Sequence, residues 1–244
     1  MIATVTEAWR TVVPPAGDRH GPLAPLLVML TVVTGLVDSF SYLVLGHVFV
    51  ANMTGNVVFL AFALVGAKGF SIWASLVALG SFVVGAVASG RIVTRLGGRR
   101  GPMLAATAAL EAVLVAGSMV VAWLASTPGS GTPRYVLIVL LGLGAGMQNG
   151  TARKLAVPDL TTTVLTLTIT GAAFESRLGG GSGGKVGRRG LSAVAMFLGA
   201  LVGASAALRV SKPLGLLLAL VLLVPVALVA ARLARSRPAW DQPT

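Results

Sequence analysis

The sequence predicts an all-α polytopic membrane helix bundle: six long transmembrane helices plus two short discontinuous or re-entrant helices, in an order compatible with an inverted repeat. Three observations carry that class. The 244-residue chain is 55% hydrophobic and 11% charged, with a mean hydropathy of +0.89, whereas a soluble domain carries about 25% charged residues. Apolar runs near the roughly 20 residues that a spanning helix needs recur six times. Two shorter apolar segments follow the first and fourth runs, in corresponding places of the two halves.

Taken in order, residues 1–23 read as a polar and mixed N-terminal tail. The first run is too long for a signal-peptide core and lacks a cleavage site, so it is read as a retained helix. The six long runs are Ala24 to Gly46, Phe70 to Thr94, Pro102 to Ala125, Tyr135 to Lys154, Leu191 to Leu208 and Leu214 to Leu233. Pro225 is expected to kink the last. The short segments, Met53 to Ala67 and Thr161 to Glu175, would cross a bilayer core only with difficulty. A single transmembrane domain thus fills 24–234, with halves of about 24–125 and 134–234 and a C-terminal tail at 235–244. The Gly-rich stretch Gly179 to Gly184, within 177–190, reads as a flexible cytoplasmic connector between the halves.

The net charge of +12 is explained by topology. Its basic residues sit between spans and at the termini, with no basic face interleaved with aromatics, so nucleic acid is not an expected partner. With six spans and the N-terminus inside, the cytoplasmic side collects Arg10, Arg19, Arg91, Arg95, Arg99, Arg100, Arg153, Lys154, Arg177, Lys185, Arg188, Arg189, Arg232, Arg235 and Arg237. The outside keeps Lys68, Arg134, Arg209 and Lys212. If both short segments crossed instead, Arg95, Arg99, Arg100, Arg153 and Lys154 would lie outside, against the positive-inside tendency. Both short segments should therefore dip in and return, which makes any repeat inverted. Ser81, Gly85 and Ser89 at spacing four, and Gly199 with Gly203 in the corresponding span, are small-residue stripes suited to close helix packing.

Polar groups at membrane depth mark the candidate site. Asp38 lies past the middle of the first span, where a carboxylate normally faces a cavity or a partner, or takes up a proton. Thr31, Thr34, Gly35, Ser41 and Tyr42 share its helix side. Glu111 sits mid-span in the third run without a polar stripe and is the second proton-relay candidate. Gln148 and Asn149 lie in the fourth run, Gln148 at roughly the place that Asp38 takes in the first half. Asn52, Thr54, Gly55 and Asn56 open the first short segment, while Pro158, Asp159, Thr161, Thr162 and Thr163 open the second, followed by Thr166 and Thr170. Asn, Asp and Thr are good N-caps, and a helix start turned inward offers N–H groups and a positive dipole end to an anionic or dipolar group. The candidate substrate-binding set is therefore Asp38, Tyr42, Asn52, Thr54, Asn56, Gln148, Asn149, Thr161, Thr162, Thr163 and Thr166. Simple capping and interhelical hydrogen bonding explain the same residues without a substrate.

Other chemistries find little support. Cysteine is absent, and His20 and His47 have no partner at ligand spacing, so neither a metal site nor a cofactor is expected. Gly179 to Lys185 imitates a phosphate-binding loop, but Val186 stands where a hydroxyl is needed and no β-strand precedes it. The glycine-rich match to a nucleophile elbow is a low-complexity coincidence. No nucleophile–base pair suggests an enzyme.

The run Gly35-Leu-Val-Asp38-Ser-Phe-Ser-Tyr42, continuing through Val48-Phe-Val-Ala-Asn52-Met-Thr54-Gly55-Asn56, resembles the opening signature of the YoaK family of bacterial inner-membrane proteins. Gly144-Ala-Gly-Met147-Gln148-Asn149-Gly, followed by Thr161-Thr-Thr-Val-Leu-Thr166, resembles that family's second signature. The likeness covers about residues 24–234; Leu167 stands where glycine is expected in many members. It implies a polytopic protein of the bacterial inner membrane and supplies no substrate. The expected function is a secondary transporter or permease for an unidentified small solute or ion, with its site near the midplane between the halves and both termini in the cytoplasm. The alternative is a non-transporting assembly or sensor protein whose polar residues only hold helices together. The lipid bilayer is the one certain surrounding, and a homo-oligomer is compatible with these spans.

Overall fold

The computed structural model describes residues 2–15, 17–160, 162, 165–176, 179–181, 186–235 and 239–241. Among the described residues there are nine α-helices, a closing 3-10 turn at Ala239–Asp241, and no β-strand. The helices are α1 (Ile2–Val12), α2 (Leu23–Val44), α3 (Met53–Leu64), α4 (Ile72–Arg95), α5 (Arg100–Leu124), α6 (Gly131–Leu155), α7 (Leu165–Phe174), α8 (Val186–Arg209) and α9 (Leu214–Arg235). Six of them, α2, α4, α5, α6, α8 and α9, are long and apolar enough to cross a membrane. These are the six runs read from sequence, with ends moved by a few residues. The short segments are helical only at α3 and α7, and α9 runs continuously through Pro225.

Three helix pairs build the bundle: α2 on α8, α4 on α6, and α5 on α9. Contacts of α5 with α6 and of α2 with α9 join them into the open series α4, α6, α5, α9, α2, α8. The short helix α3 packs on α4 and α7 packs on α8, so each flanks one end of the series. Burial singles out α2 and α6, whose apolar stretches are 72% and 61% buried, against 33% for each of the other long helices. The helices that lead into the two short segments are therefore the innermost.

Between lipid-soaked helices little hydrophobic driving force remains, and close backbone approach has to supply the packing. On the α4–α6 seam, a Cβ at Gly85 would strike the Leu143 carbonyl and one at Gly146 the Phe82 carbonyl. Ser81 and Ser89 fill the spaces over Gly142 and Gly150. On the α2–α8 seam, Gly35 meets the Met196 carbonyl, Gly199 the Val32 carbonyl, and Gly203 takes Ser39. Both small-residue stripes of the sequence thus lie in helix seams.

Both tails meet on one face. Arg99 forms an ion pair with Asp241, and Gly101 donates its N–H to the same carboxylate at 2.6 Å. Arg100 donates to the Leu155 carbonyl at 2.8 Å and reaches His20 Nδ1 at 3.0 Å. Burial, then the Arg100 guanidinium, holds His20 below its ordinary pKa, which suits a neutral ring accepting that bond. Residues 1–23 do not form a mere tail. Within them α1 packs on the start of α8, where Gly187 donates to Glu7 Oε2 at 2.9 Å, while Val5, Trp9 and Val12 stay exposed. The Gly-rich stretch also differs from its reading as a link between halves, since it joins α7 to α8 within the second half. Arg177, Ser182 to Lys185, and Arg237 lie outside the described residues.

Each short helix returns to the face it left. Around α3, His47 Nδ1 lies 3.1 Å from the Gly69 carbonyl, so the chain before the helix meets the chain after it. Around α7, Arg189 donates to Asp159 at 2.7 Å and to Glu175 at 3.1 Å, bridging the two ends in the same manner. The α3 mouth lies at the far end of α2 from the tails. The α7 mouth lies on the tail face.

The cysteine-free chain permits a direct check of this topology. Single cysteines at His47 and Lys68 should react with an impermeant maleimide from one side of the membrane, and cysteines at Ala156 and Ser176 only from the other. Opposite-side labelling of the two members of either pair would mean that the short helix between them crosses.

Candidate functional site

Backbone that leaves the helix at membrane depth has no water to bond, and is tolerated only where protein satisfies it. The loop between α2 and α3 does this with two side chains. Asp38 lies six residues before the end of α2, about 9 Å along the axis. Its Oδ1 accepts the N–H groups of Val50 at 3.1 Å and Ala51 at 2.9 Å. Asn56, in the second turn of α3, accepts from Phe49 N–H at 2.9 Å and donates to the Phe49 carbonyl at 2.5 Å. Asp38 and Asn56 are 3% and 0% exposed. Together they anchor the loop and tie the start of α3 to the bundle at Asn56, the one buried residue of that helix, while Thr54 stays exposed.

The second loop is turned by backbone geometry. Ala156 ends α6 in the left-handed region at φ 49°, Pro158 blocks helix continuation, and Asp159 again has φ 64°. Val157, Leu160 and Thr162 are buried, and Asp159 is tied to Arg189 of α8, before α7 begins at Leu165.

The two short helices start on one cavity of about 420 Å³. Ala51, Asn52, Met53 and Thr54 line it from the first loop and helix, and Leu165 and Thr166 from the second. Phe82 of α4 and Asn149 of α6 complete the wall. Phe82 is ten residues into α4, about 15 Å from its start, close to the middle of a roughly 30 Å hydrocarbon core. Asn52 occupies the N-cap position of α3 without making a side-chain cap bond. Among the described residues, the wall contains amide, hydroxyl and apolar side chains and no charged one.

Of the residues read from sequence as a substrate set, Asn52, Thr54, Asn149 and Thr166 line this cavity. Thr162 is buried just before α7, and Thr161 and Thr163 lie outside the described residues. Asp38 stands behind the wall, bonded to Val50 and Ala51; its Oδ2 is buried without a hydrogen bond of standard geometry, beside Asn52. The expected polar face around Asp38 is not a lining. Thr31, Thr34 and Ser41 return their hydroxyls to their own helix at Leu27, Leu30 and Asp38 carbonyls, and Gly35 faces α8. Tyr42 stacks on Phe49 at 4.9 Å in an aromatic cluster with His47, Phe59, Phe62 and Phe70 that closes the α3 mouth. Asn56 is turned to Phe49. Gln148 points away from its neighbour Asn149, with one amide end 2.7 Å from Thr34 Oγ1 and the other 2.9 Å from Glu111.

Two features escape a reading of the sequence. Phe82 reads as one more apolar residue of a membrane span, although its place between Ser81 and Gly85 in the small-residue stripe puts it beside the α6 seam. Arg189 reads only as a topology marker. Asp159 and Glu175, flanking the second short segment, supply the complementary charges that could have pointed to the clamp.

Residues 26–230 match the family model described as "Protein of unknown function (DUF1275)". The chain is also similar to the UPF0700 transmembrane protein YoaK of Bacillus subtilis (strain 168), at 37% identity over 145 residues. That match covers 59% of this chain and 63% of the relative, so the chain spans less than two thirds of the relative's length. No solved structure matches.

Asp38→Ala should strand two buried N–H groups, each at a cost of about 1–3 kcal/mol, and clearly lower the thermal midpoint of the detergent-purified protein. Asp38→Asn retains an acceptor oxygen and should lose much less. An alanine variant as stable as the parent would separate Asp38 from the positioning of α3.

Proposed function

Since the chain belongs to the DUF1275 family, an integral membrane family whose description assigns no activity, we propose its function from its own geometry: a secondary transporter or permease for a small polar solute. The observation that carries this reading is the cavity at which both short helices begin. Helix starts that converge from opposite membrane faces present N–H dipoles to one point, an arrangement suited to holding a solute midway across a bilayer. A volume of about 420 Å³ fits a small molecule. With no charged side chain among the described residues of its wall, the cavity favours an uncharged or dipolar solute with oxygen acceptors, held by Asn52, Thr54, Asn149 and Thr166.

The packing pattern supports an inverted repeat as the moving framework. Exchanging α2 with α6, α3 with α7, α4 with α8 and α5 with α9 maps each principal helix pair onto another principal pair or onto itself. Under that exchange the α2–α8 seam becomes the α6–α4 seam, and α5–α9 maps onto itself. The two halves would rock against each other about α5 and α9, opening the cavity to alternate faces. The tail face, which holds Arg99, Arg100, Arg188 and Arg189, is the cytoplasmic one by the positive-inside rule, in a bacterial inner membrane. The internal bonding of Asp38, Asn56 and Gln148 favours the rival non-transporting reading for those three residues, and leaves the cavity wall to decide between the two.

Proteoliposomes offered a panel of small polar solutes should take up at least one of them above the level of empty vesicles. Thr54→Val and Asn149→Leu should each slow that uptake by up to about tenfold, the worth of one hydrogen bond of about 0.5–1.5 kcal/mol, with unchanged protein insertion. Background flux for the whole panel would reject transport in favour of the assembly or sensor role.

A further inference from the structure

We propose that Glu111 is a proton-binding site at the centre of the bundle, and that the side-chain amide of Gln148 turns over with its proton, carrying the protonation state from α5 through α6 to α2. Glu111, Gln148 and Thr34 are 4%, 3% and 3% exposed and form one unbroken line of polar atoms across three helices. At one end, Thr34 Oγ1 lies 3.0 Å from the Leu30 carbonyl. In the middle, the Gln148 amide lies 2.7 Å from Thr34 Oγ1, and its other end is 2.9 and 3.2 Å from the two oxygens of Glu111.

An amide has one donating and one accepting end, so this line can be polarised in two ways. If the Gln148 nitrogen faces Thr34, it donates to Oγ1 and approaches the Leu30 carbonyl at 3.4 Å, and the Thr34 hydroxyl donates to Leu30. The Gln148 oxygen then faces Glu111, and only a protonated carboxyl can donate to it. If the nitrogen faces Glu111, it donates to the carboxyl oxygens, an orientation that the ionised form with two acceptor oxygens favours, while the Thr34 hydroxyl donates to the Gln148 oxygen. Each state satisfies the buried side chains without displacing a helix. The mixed state, an ionised carboxylate against an amide oxygen, sets two acceptors together. Adding a water-derived proton to one Glu111 oxygen therefore lets the amide turn by half a revolution, and no heavy-atom bond forms or breaks.

One other carboxyl on these helices competes for that proton: Asp38, whose Oδ2 is buried without a hydrogen bond of standard geometry. Between Tyr135 and Arg153 α6 has none, α9 has none before Arg232, and α4 has none before Arg91. The C-terminal turn brings Asp241, which is held by Arg99 and Gly101. From α2 comes Asp38, one turn beyond Thr34, with its Oδ1 engaged by Val50 and Ala51. The site rests on these helix-to-helix distances alone, and holds whether or not the cavity carries a solute.

The chain has two glutamines, Gln148 and Gln242, so side-chain 15N-glutamine labelling of the purified protein isolates the reporter. Titrating pH over the range in which the protein stays folded should move the Gln148 side-chain signals in a single one-proton step. Glu111→Gln should abolish that step and leave the Gln242 signals unchanged. Should that variant fail to fold, carboxyl 13C-glutamate in the parent protein, which has three glutamates, should show a Glu111 resonance titrating in parallel with Gln148. A Gln148 signal that stays flat with pH, or a step that persists in folded Glu111→Gln, would overturn the proposal.

Discussion

The structure depends on satisfying non-helical backbone inside a membrane. Wherever a chain stops being helical at depth, its N–H and C=O groups lose both water and their helical partners, each at a cost of several kcal/mol. The α2–α3 loop meets this with one carboxylate and one amide. Asp38 can serve Val50 and Ala51 only if α2 is fixed in rotation and height, and Gly35 and Gly199 fix it by letting α2 and α8 approach to backbone contact. Asn56 then ties Phe49 to α3 itself. One side of the cavity follows from this chain of constraints: once Phe49 to Ala51 are anchored, Asn52 to Thr54 begin α3 along its wall.

The same logic explains why most of the intramembrane polar side chains are not in the cavity wall. Thr31, Thr34 and Ser41 bond to the preceding turn, Gln148 joins α6 to α2 and α5, and Ser81 and Ser89 fill glycine notches. The cavity wall carries the neutral set of Asn52, Thr54, Asn149 and Thr166, of which Asn149 also donates to the Ala145 carbonyl at 2.9 Å. A polar residue in a membrane span is thus ambiguous by type alone, and its meaning comes from the neighbour that it reaches.

That ambiguity marks how far the sequence could be read. Hydropathy and run length gave the six spans and the two short segments because the bilayer imposes a length on any crossing helix. Basic residues at Arg95, Arg99, Arg100, Arg153 and Lys154 gave the returning paths. The polar residues that open each short segment marked where the helices begin only approximately: Asn52 takes the N-cap position of α3 without a cap bond, and α7 begins at Leu165, past Thr162. Rotation and partnership were not legible. Helical periodicity put Asp38 on a polar stripe but could not say that its carboxylate points at the backbone 12 and 13 residues later. Nor could it turn Gln148 and Asn149 to opposite sides of the α6 wall. The helix α1 was missed because its 11 residues are too mixed for a span, and its amphipathic pattern acquires a partner only when Gly187 exposes the backbone of α8 to it.

The two mouths solve one geometric problem with different chemistry. The α3 mouth is closed by neutral contacts, with His47 on the Gly69 carbonyl and Phe59 packed 5.2 Å from Phe70. The α7 mouth is closed by Arg189, which holds Asp159 and Glu175 together and would leave two neighbouring carboxylates unbalanced if it withdrew. Much of the dispersion between packed rings is lost within the first ångström of separation, whereas charge-assisted hydrogen bonds are individually stronger and fixed in direction, and the attraction behind them reaches further. Opening the α3 mouth would thus cost ring contact, and opening the α7 mouth would cost directed ionic hydrogen bonds. Gly171 extends the argument, because its missing Cβ is what lets the Arg189 guanidinium lie against α7 and span the mouth.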